Sequence, residues 1–299
     1  MTELPLDATP LSRQHARLMA ELVRDCPKDL GHEIYLYCSV AKGYADKFSD
    51  VEVTFLVDEV QEAAVYEAWL RSVGATVDPV TMAWGGGHTT KSWVDGLFIE
   101  AAWRPPDALG EVAERVARAA TTDHWDLVTA WHIVYALPLT DAPQLRAWQG
   151  ALSVYPEALQ AELIEDATRF LAEPHWYPLS LVNAFKLAER GAAMDLSGEL
   201  MWAVERALRI LFALNRQWEP DYKWLKYEAR RLEIKPDRLI ERVDGVFMLP
   251  DLRERVVTCF QLLIDVLKLV PGHIDVSKEI AHVSAATKPE ELLRASQRS

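Results

Sequence analysis

Residues 34–58 constrain the fold more than any other stretch, because two apolar runs enclose a short loop that ends in a pair of acids. The first run, Ile34 to Tyr37, has the length of a buried strand. Asp50 and Glu52 open the second run, where alternation along a strand places both side chains on one face, with Cα atoms about 6.5 Å apart. Two carboxylates on one face beside a turn of small residues predict a site for Mg²⁺ and phosphate.

Composition narrows the class of protein. The chain has 299 residues, half of them hydrophobic, which is enough for one large domain or two of ordinary size. Its formal net charge of −13 disfavours nucleic acid as a partner, because binding a phosphate backbone needs a basic surface. Its three cysteines are far apart and show no CxxC spacing, which favours a reducing compartment. We expect a cytoplasmic protein outside the membrane, since no run of about 18 apolar residues occurs.

The chain before Pro105 mixes strand and helix patterns. Asp95-Gly96 is a two-residue hairpin signal between the predicted strands Lys91–Val94 and Leu97–Trp103. On the second of these strands, Glu100 stands among apolar neighbours. It needs a partner, because burying a lone acid is costly.

Helical periodicity dominates after Pro106, with one further short strand predicted over His132–Leu137. The predicted fold class is therefore α+β. A small mixed β-sheet with flanking helices is expected over residues 1–105, followed by an all-helical domain over residues 106–299. The hairpin in the sheet disfavours a doubly wound parallel arrangement.

The spacing in residues 34–58 resembles the signature of the DNA polymerase β-like nucleotidyltransferase superfamily. That signature is Gly-Ser, a spacer, and then Asp-x-Asp at the head of the next strand. Here Cys38-Ser39 is followed by ten residues and then by Asp50-Val51-Glu52. Residues 41–43 (Ala-Lys-Gly) stand where small antibiotic nucleotidyltransferases carry Ala-x-Gly, and Glu100 fits the later acid that completes the family's metal site.

The resemblance implies that residues 1–105 form a catalytic nucleotidyltransferase domain. Asp50, Glu52 and Glu100 would bind two Mg²⁺ ions, and Glu100 would also take the proton of the acceptor hydroxyl. ATP or another nucleoside triphosphate would be the donor substrate. The residues expected to bind it are Ser39, Lys42, Gly43, Ser49 and, from the helical domain, Lys223.

Two positions depart from the family pattern. Cys38 replaces the usual Gly, and its Cβ narrows the approach of the backbone to phosphate. Glu52 replaces the second Asp, which adds one methylene to an expected metal ligand but keeps the carboxylate oxygens that Mg²⁺ prefers. A non-catalytic nucleotide-binding regulator therefore stays open as an alternative.

The helical part carries a second resemblance, to the C-terminal half of an uncharacterised bacterial family that pairs this region with a nucleotidyltransferase head. The motifs that carry it are residues 152–159, 211–216 and 219–225. If they line the substrate cleft, Arg216 or Lys223 would contact the triphosphate and Asn215 would orient a substrate. The alternative is that Asn215 caps a helix and Lys223 lies on a solvated face.

The predicted reaction moves NMP, in the simplest case AMP, from an NTP to a hydroxyl group of a small acceptor and releases pyrophosphate. The resemblance suggests aminoglycoside or lincosamide-type antibiotics as acceptors, and hence an antibiotic-resistance enzyme, monomeric or homodimeric. The alternative is a toxin–antitoxin-type enzyme that acts on a protein or a tRNA, although the acidic charge disfavours tRNA. Trp84, Trp93 and Trp103 are candidates for stacking on a substrate ring, with core packing as the alternative.

Overall fold

The computed structural model describes residues 4–84, 86–169, 171 and 181–287, without the side chains of residues 79–84, 181 and 182. The chain forms two compact units, Met1–Val154 and Tyr155–Ser299. A mixed sheet with helices makes up the first unit, and helices make up the described part of the second. The predicted α+β class is confirmed.

The first unit begins with alternating helices and strands and ends in helices. Its elements in chain order are α1 (Pro10–Leu22), β1 (Glu33–Tyr37), α2 (Cys38–Ala41), β2 (Val51–Leu56), α3 (Ala63–Ser72), β3 (Thr76–Trp84), β4 (Gly87–Val94), β5 (Leu97–Arg104), α4 (Pro106–Ala117), α5 (His124–Val134), β6 (Leu137–Pro138) and α6 (Pro143–Ala151). The helices of the second unit are α7 (Glu157–Thr168), α8 (Leu181–Glu189), α9 (Ala193–Leu214), α10 (Tyr222–Ala229), α11 (Leu239–Met248), α12 (Leu252–Leu267) and α13 (Ser277–Ala286). No helix in the described ranges has both the length and the hydropathy needed to span a membrane.

Within the described residues, six strands form one sheet in the order β3-β4-β5-β2-β1-β6. β2 and β5 are parallel, whereas the other neighbouring pairs are antiparallel. The hairpin predicted at Asp95-Gly96 joins β4 to β5, with Val94 paired to Leu97. The φ angles of Asp95 (50°) and Gly96 (80°) are both positive, as in the tight turns that match the twist of two antiparallel strands.

One face of the sheet is apolar and forms the core of the first unit with α1 and α3. Phe55 on β2 and Trp103 on β5 stack with their ring centroids 4.9 Å apart, and Tyr66 of α3 stacks on Trp103 at 4.3 Å. The indole N–H of Trp103 donates a hydrogen bond to the carbonyl of Leu30. Core packing, the alternative to substrate stacking, is thus confirmed for Trp103.

The one further short strand predicted after Pro106 is present, but its predicted bounds, residues 132–137, are wrong. α5 continues to Val134, and β6 pairs with β1 only at Leu137 and Pro138. Asp123 starts α5 by accepting hydrogen bonds from the backbone N–H groups of the first turn. Buried apolar residues lie on most sides of this helix, so the sequence shows no alternation of polar and apolar residues with the helical period. The buried residues are Leu127, Val128, Ala130, Trp131 and Ile133.

Glu33 joins the sheet to α6. Its buried carboxylate accepts hydrogen bonds from the backbone N–H groups of Gln144 (N–O distance 2.8 Å) and Leu145 (3.0 Å). These groups lie in the first turn of α6, where N–H groups have no intrahelical partner and a negative charge is favoured. This contact and the pairing of β6 with β1 tie α6 to the sheet within the first compact unit, Met1–Val154. The functional division predicted at residue 105 stays a prediction.

We expect Glu33→Ala to lower the free energy of unfolding by about 2 kcal/mol, because two backbone N–H groups lose a charged acceptor. Glu33→Gln should cost less, since the amide oxygen can still accept one bond. Urea unfolding of both variants measures the difference, with the exposed residue Glu59 changed to Ala as the control. A loss no larger than that of the control would mean that the contact does not stabilise the unit.

Candidate active site

Glu52 and Glu100 lie directly opposite each other on the parallel strands β2 and β5. Residues paired in this way project from the same face of the sheet, and neighbouring strands are about 4.8 Å apart. This face is the one opposite the apolar core. Glu52 is only 5% exposed, whereas Glu100 is half-buried. The structure therefore brings together two of the three acids that the sequence predicts as ligands.

Tyr37 and Lys91 extend the same row of side chains. Tyr37 on β1 is paired with Glu52, and Lys91 on β4 is paired with Glu100. Burial raises the pKa of Tyr37 well above its usual range, and the charges of Glu52 and Glu100 raise it further. The phenol therefore stays protonated and can donate a hydrogen bond toward a carboxylate.

Arg104 places a buried positive charge on the same face, four residues after Glu100. It is only 6% exposed, and its guanidinium donates a hydrogen bond to the hydroxyl of Thr89 (N–O distance 3.1 Å). Burial lowers the pKa of Arg104, while the neighbouring groups of Tyr37, Tyr35 and Glu100 act in the opposite direction. Arg104 is not part of the motif read from the sequence, although alternation along β5 puts it on the face of Glu100.

Asp50 lies at the entry to β2, beside this row. It precedes Val51, whose partner on β5 is Ile99, so alternation favours the face of Glu52, about 6.5 Å away along the strand. In the described part of the chain, no three His, Cys, Asp or Glu side chains are gathered closely enough to hold a metal ion. Glu52 and Glu100 are therefore immediate neighbours, whereas Asp50 lies just before the first residue of β2.

Cys38 and Ser39 form the start of α2, directly after β1. Cys38 has a φ angle of 59°, in the left-handed region that favours glycine. It therefore adopts a glycine-like backbone at the position where the resembled family carries Gly. The hydroxyl of Ser39 is buried and has no hydrogen-bond partner among the described residues.

Lys42, Gly43 and Ser49 already make contacts within the first unit. The Nζ of Lys42 lies 3.3 Å from the centre of the Tyr135 ring on α5. Gly43 has a φ angle of 81°, and an added Cβ would lie 2.9 Å from that of Ala8, so the position requires glycine. Ser49 closes a turn in which its hydroxyl donates a hydrogen bond to the carboxylate of Asp46 (O–O distance 3.1 Å). Nucleotide binding by these residues stays a prediction.

The second unit holds the other residues singled out in the sequence. Asn215 ends α9: its amide nitrogen donates to the carbonyls of Leu211 and Ile234, and its oxygen accepts from the N–H groups of Glu233 and Ile234. These bonds confirm the helix-capping alternative for Asn215. Lys223 is exposed in the first turn of α10, and its predicted contact with the nucleotide stays a prediction. The Arg216 guanidinium lies 3.9 Å from the carboxylate of Glu157.

Comparison with known proteins gives a family match and matches to solved structures. Residues 136–225 match a family described as a domain of unknown function (DUF4037), which covers less than a third of the chain and includes the helical motifs noted above. A nucleotidyltransferase-like protein from Exiguobacterium sibiricum resembles the structure with a TM-score of 0.42 and 11% identity, over 94% of this chain and 80% of that one. Among curated proteins, none matches. We therefore base the function on this chain's own residues.

Substitutions at Cys38 test the backbone strain at the start of α2. We expect Cys38→Gly to be more stable than Cys38→Ala by about 1 kcal/mol, because only glycine adopts a positive φ angle without a steric cost. Both substitutions remove the thiol, so their difference isolates the backbone. Urea unfolding measures it, and an alanine variant as stable as the glycine variant would show that this φ angle costs nothing.

Proposed function

We propose that the protein is a Mg²⁺-dependent nucleotidyltransferase that moves NMP, in the simplest case AMP, from an NTP to a hydroxyl group of a small acceptor. The observation that carries the proposal is the direct opposition of Glu52 and Glu100 across β2 and β5. Asp50 precedes this pair on β2, and Ser39 follows the strand that pairs with β2 on its other side. Acids and a phosphate-binding turn at one edge of a sheet are the elements that such a transfer needs.

The carboxylates fit a divalent cation. Glu52 and Glu100 are acidic side chains on adjacent strands, and Glu52 is 95% buried, so a cation bound between them would lower their mutual repulsion. Carboxylate oxygens are also the ligands that Mg²⁺ prefers. Glu52 and Glu100 would hold the ion, and Asp50, which lies just before β2 and apart from this pair, would become a further ligand only by moving toward them. Mg²⁺ when bound would neutralise the triphosphate and favour deprotonation of the acceptor hydroxyl.

Ser39 would bind the donor nucleotide. Its buried hydroxyl can donate a hydrogen bond to a phosphate oxygen, and hydrogen bonds to charged acceptors are the stronger ones. Lys42 follows in the same turn, where the aromatic ring of Tyr135 positions its Nζ. A phosphate bound by Ser39 would lie at the end of β1, next to the start of β2.

Glu100 would act as the base in the transfer. It would take the proton of the acceptor hydroxyl while that oxygen forms a bond to the α-phosphorus, and the bond from this phosphorus to pyrophosphate breaks. Tyr37 and Arg104 would be positioning residues, since the electrostatic interactions of both include Glu100 and both carry protonated groups that can donate hydrogen bonds. Aminoglycosides and lincosamides are the first acceptors to test, because the sequence resemblance suggests them.

Glu52→Gln is expected to slow pyrophosphate release by about 100-fold or more, since it removes a charge from the site at constant volume. Asp50→Ala should have a similar effect, whereas Glu59→Gln on the surface should leave the rate unchanged. A coupled assay for pyrophosphate with ATP, Mg²⁺ and each acceptor measures the rates. Unchanged transfer in both site variants would refute the assignment, and nucleotide binding without transfer to any acceptor would favour a regulator.

Ser39→Ala separates nucleotide binding from folding. The melting temperature of the ligand-free protein should stay unchanged or rise slightly, because the hydroxyl has no partner among the described residues. The affinity for ATP with Mg²⁺ should fall about 10-fold, as expected for one hydrogen bond to a charged group. Calorimetry gives the affinity. Ser92→Ala is the matched control. The hydroxyl of Ser92 is also buried without a hydrogen-bond partner among the described residues, but Ser92 is paired with Ile99 and faces the core instead of the proposed site.

A further inference from the structure

A pocket of about 420 Å³ lies beside the proposed active site. It is formed by α1, the loop of residues 46–50 and the turn between β4 and β5. Asp50, one of the three acids predicted as metal ligands, lines this pocket, whereas Glu52 and Glu100 are not part of its lining. Apart from Ser49, which the sequence predicts to bind the nucleotide, the rest of its wall has no role among those proposed above.

The exposed Trp93 and the half-buried Phe98 form an aromatic wall in this pocket. They are paired across the β4–β5 hairpin, with ring centroids 4.9 Å apart. Trp93 is 49% exposed, in contrast to the buried Trp103, and the ring of Phe48 is also exposed at the pocket. Exposed aromatic rings that line a concavity are a common feature of sites that bind ring-containing ligands.

The wall lies within reach of the acids. Phe98 precedes Glu100 by two residues on β5, so their side chains project from the same face and their Cα atoms are about 6.5 Å apart. Trp93 stands in the same relation to Lys91 on β4. A small molecule stacked on this wall can therefore extend a hydroxyl group toward Glu100.

The charges of the pocket favour a cation. Its lining includes the carboxylates of Asp46, Asp50 and Asp95 against one lysine, Lys47. His15 adds a polar group without adding charge: it is buried, its Nδ1 has no hydrogen-bond partner among the described residues, and burial lowers its pKa. The lining as a whole is negative, which disfavours the phosphates of a nucleotide and attracts an amine.

We propose that this pocket binds the acceptor, and that the acceptor is a protonated amine that carries an aromatic ring. The ring stacks on Trp93 and Phe98, the ammonium group lies near Asp95 and Asp46, and His15 offers a hydrogen bond. That the ligand is an acceptor rests on the proposed nucleotidyl transfer. Its binding does not, because neither ATP nor Mg²⁺ is needed to fill the pocket.

Three probes with the same phenol ring test the proposal: tyramine is a cation, 4-(2-hydroxyethyl)phenol is neutral and 4-hydroxyphenylacetate is an anion. We expect calorimetry on the full chain to show tyramine binding about 10-fold more tightly than the neutral probe, with the anion weakest. Trp93→Ala should weaken tyramine binding about 10-fold. Trp125→Ala is the control, since Trp125 is a comparably exposed tryptophan (55%) on α5, outside the lining of this pocket.

Asp95→Asn tests the charge separately from the fold. Asparagine tolerates the positive φ angle of this turn, so the hairpin should persist while the preference for tyramine over the neutral probe decreases. Equal binding of the three probes, or unchanged tyramine binding in Trp93→Ala, would overturn the inference. Loss of ATP binding rather than tyramine binding in Trp93→Ala would also overturn it, because the wall would then hold the nucleotide base.

The outcome for the proposed function is read separately. If tyramine binds as expected but no pyrophosphate is released with any hydroxyl-bearing amine, the pocket still binds aromatic amines, and both the transfer reaction and the role of the amine as its acceptor are refuted. If pyrophosphate release depends on Glu52 while the three probes bind equally, the reaction stands and the assignment of the pocket is refuted.

Discussion

The parallel pairing of β2 with β5 is the interaction on which the arrangement of the acids depends. Because side chains alternate along a strand, a shift of one residue in this register would turn Glu52 or Glu100 into the apolar core. The stacked rings of Phe55 and Trp103 oppose such a shift, since these residues are themselves partners across the same two strands. Packing of the rings on the apolar face thus determines which charged side chains lie next to each other on the polar face.

The polar face stabilises its acids in different ways at its two ends. At one end, the carboxylate of Glu33 accepts hydrogen bonds from two backbone N–H groups of α6, which gives it a structural role. Nearer the other end, Glu52 and Glu100 have Tyr37 and the buried Arg104 as neighbours and lie close to a pocket that Asp50 lines. A structural acid on this face therefore differs from a candidate catalytic acid in the groups that contact its carboxylate, and not in how deeply the carboxylate is buried.

The sequence predicted those parts of the first unit that depend on local rules. The Asp95-Gly96 turn fixes the β4–β5 register, and counting back from that turn already pairs Lys91 with Glu100. Long-range contacts were not predictable in this way. The bond from Glu33 to α6 has no local signal, α5 shows no helical period because it is buried on several sides, and the pairing of Glu52 with Glu100 depends on a register that only the folded core selects.

The bond between Glu33 and α6 also sets the smallest fragment that can fold. A polypeptide that ends after β5 would retain Glu33 on β1 without the N–H groups of Gln144 and Leu145, and a buried carboxylate without a partner is costly. Its β1 would also become an edge strand with unpaired backbone groups, which promotes aggregation. A soluble fragment that carries the acids of β2 and β5 must therefore include α6, even though that helix contributes no residue to them.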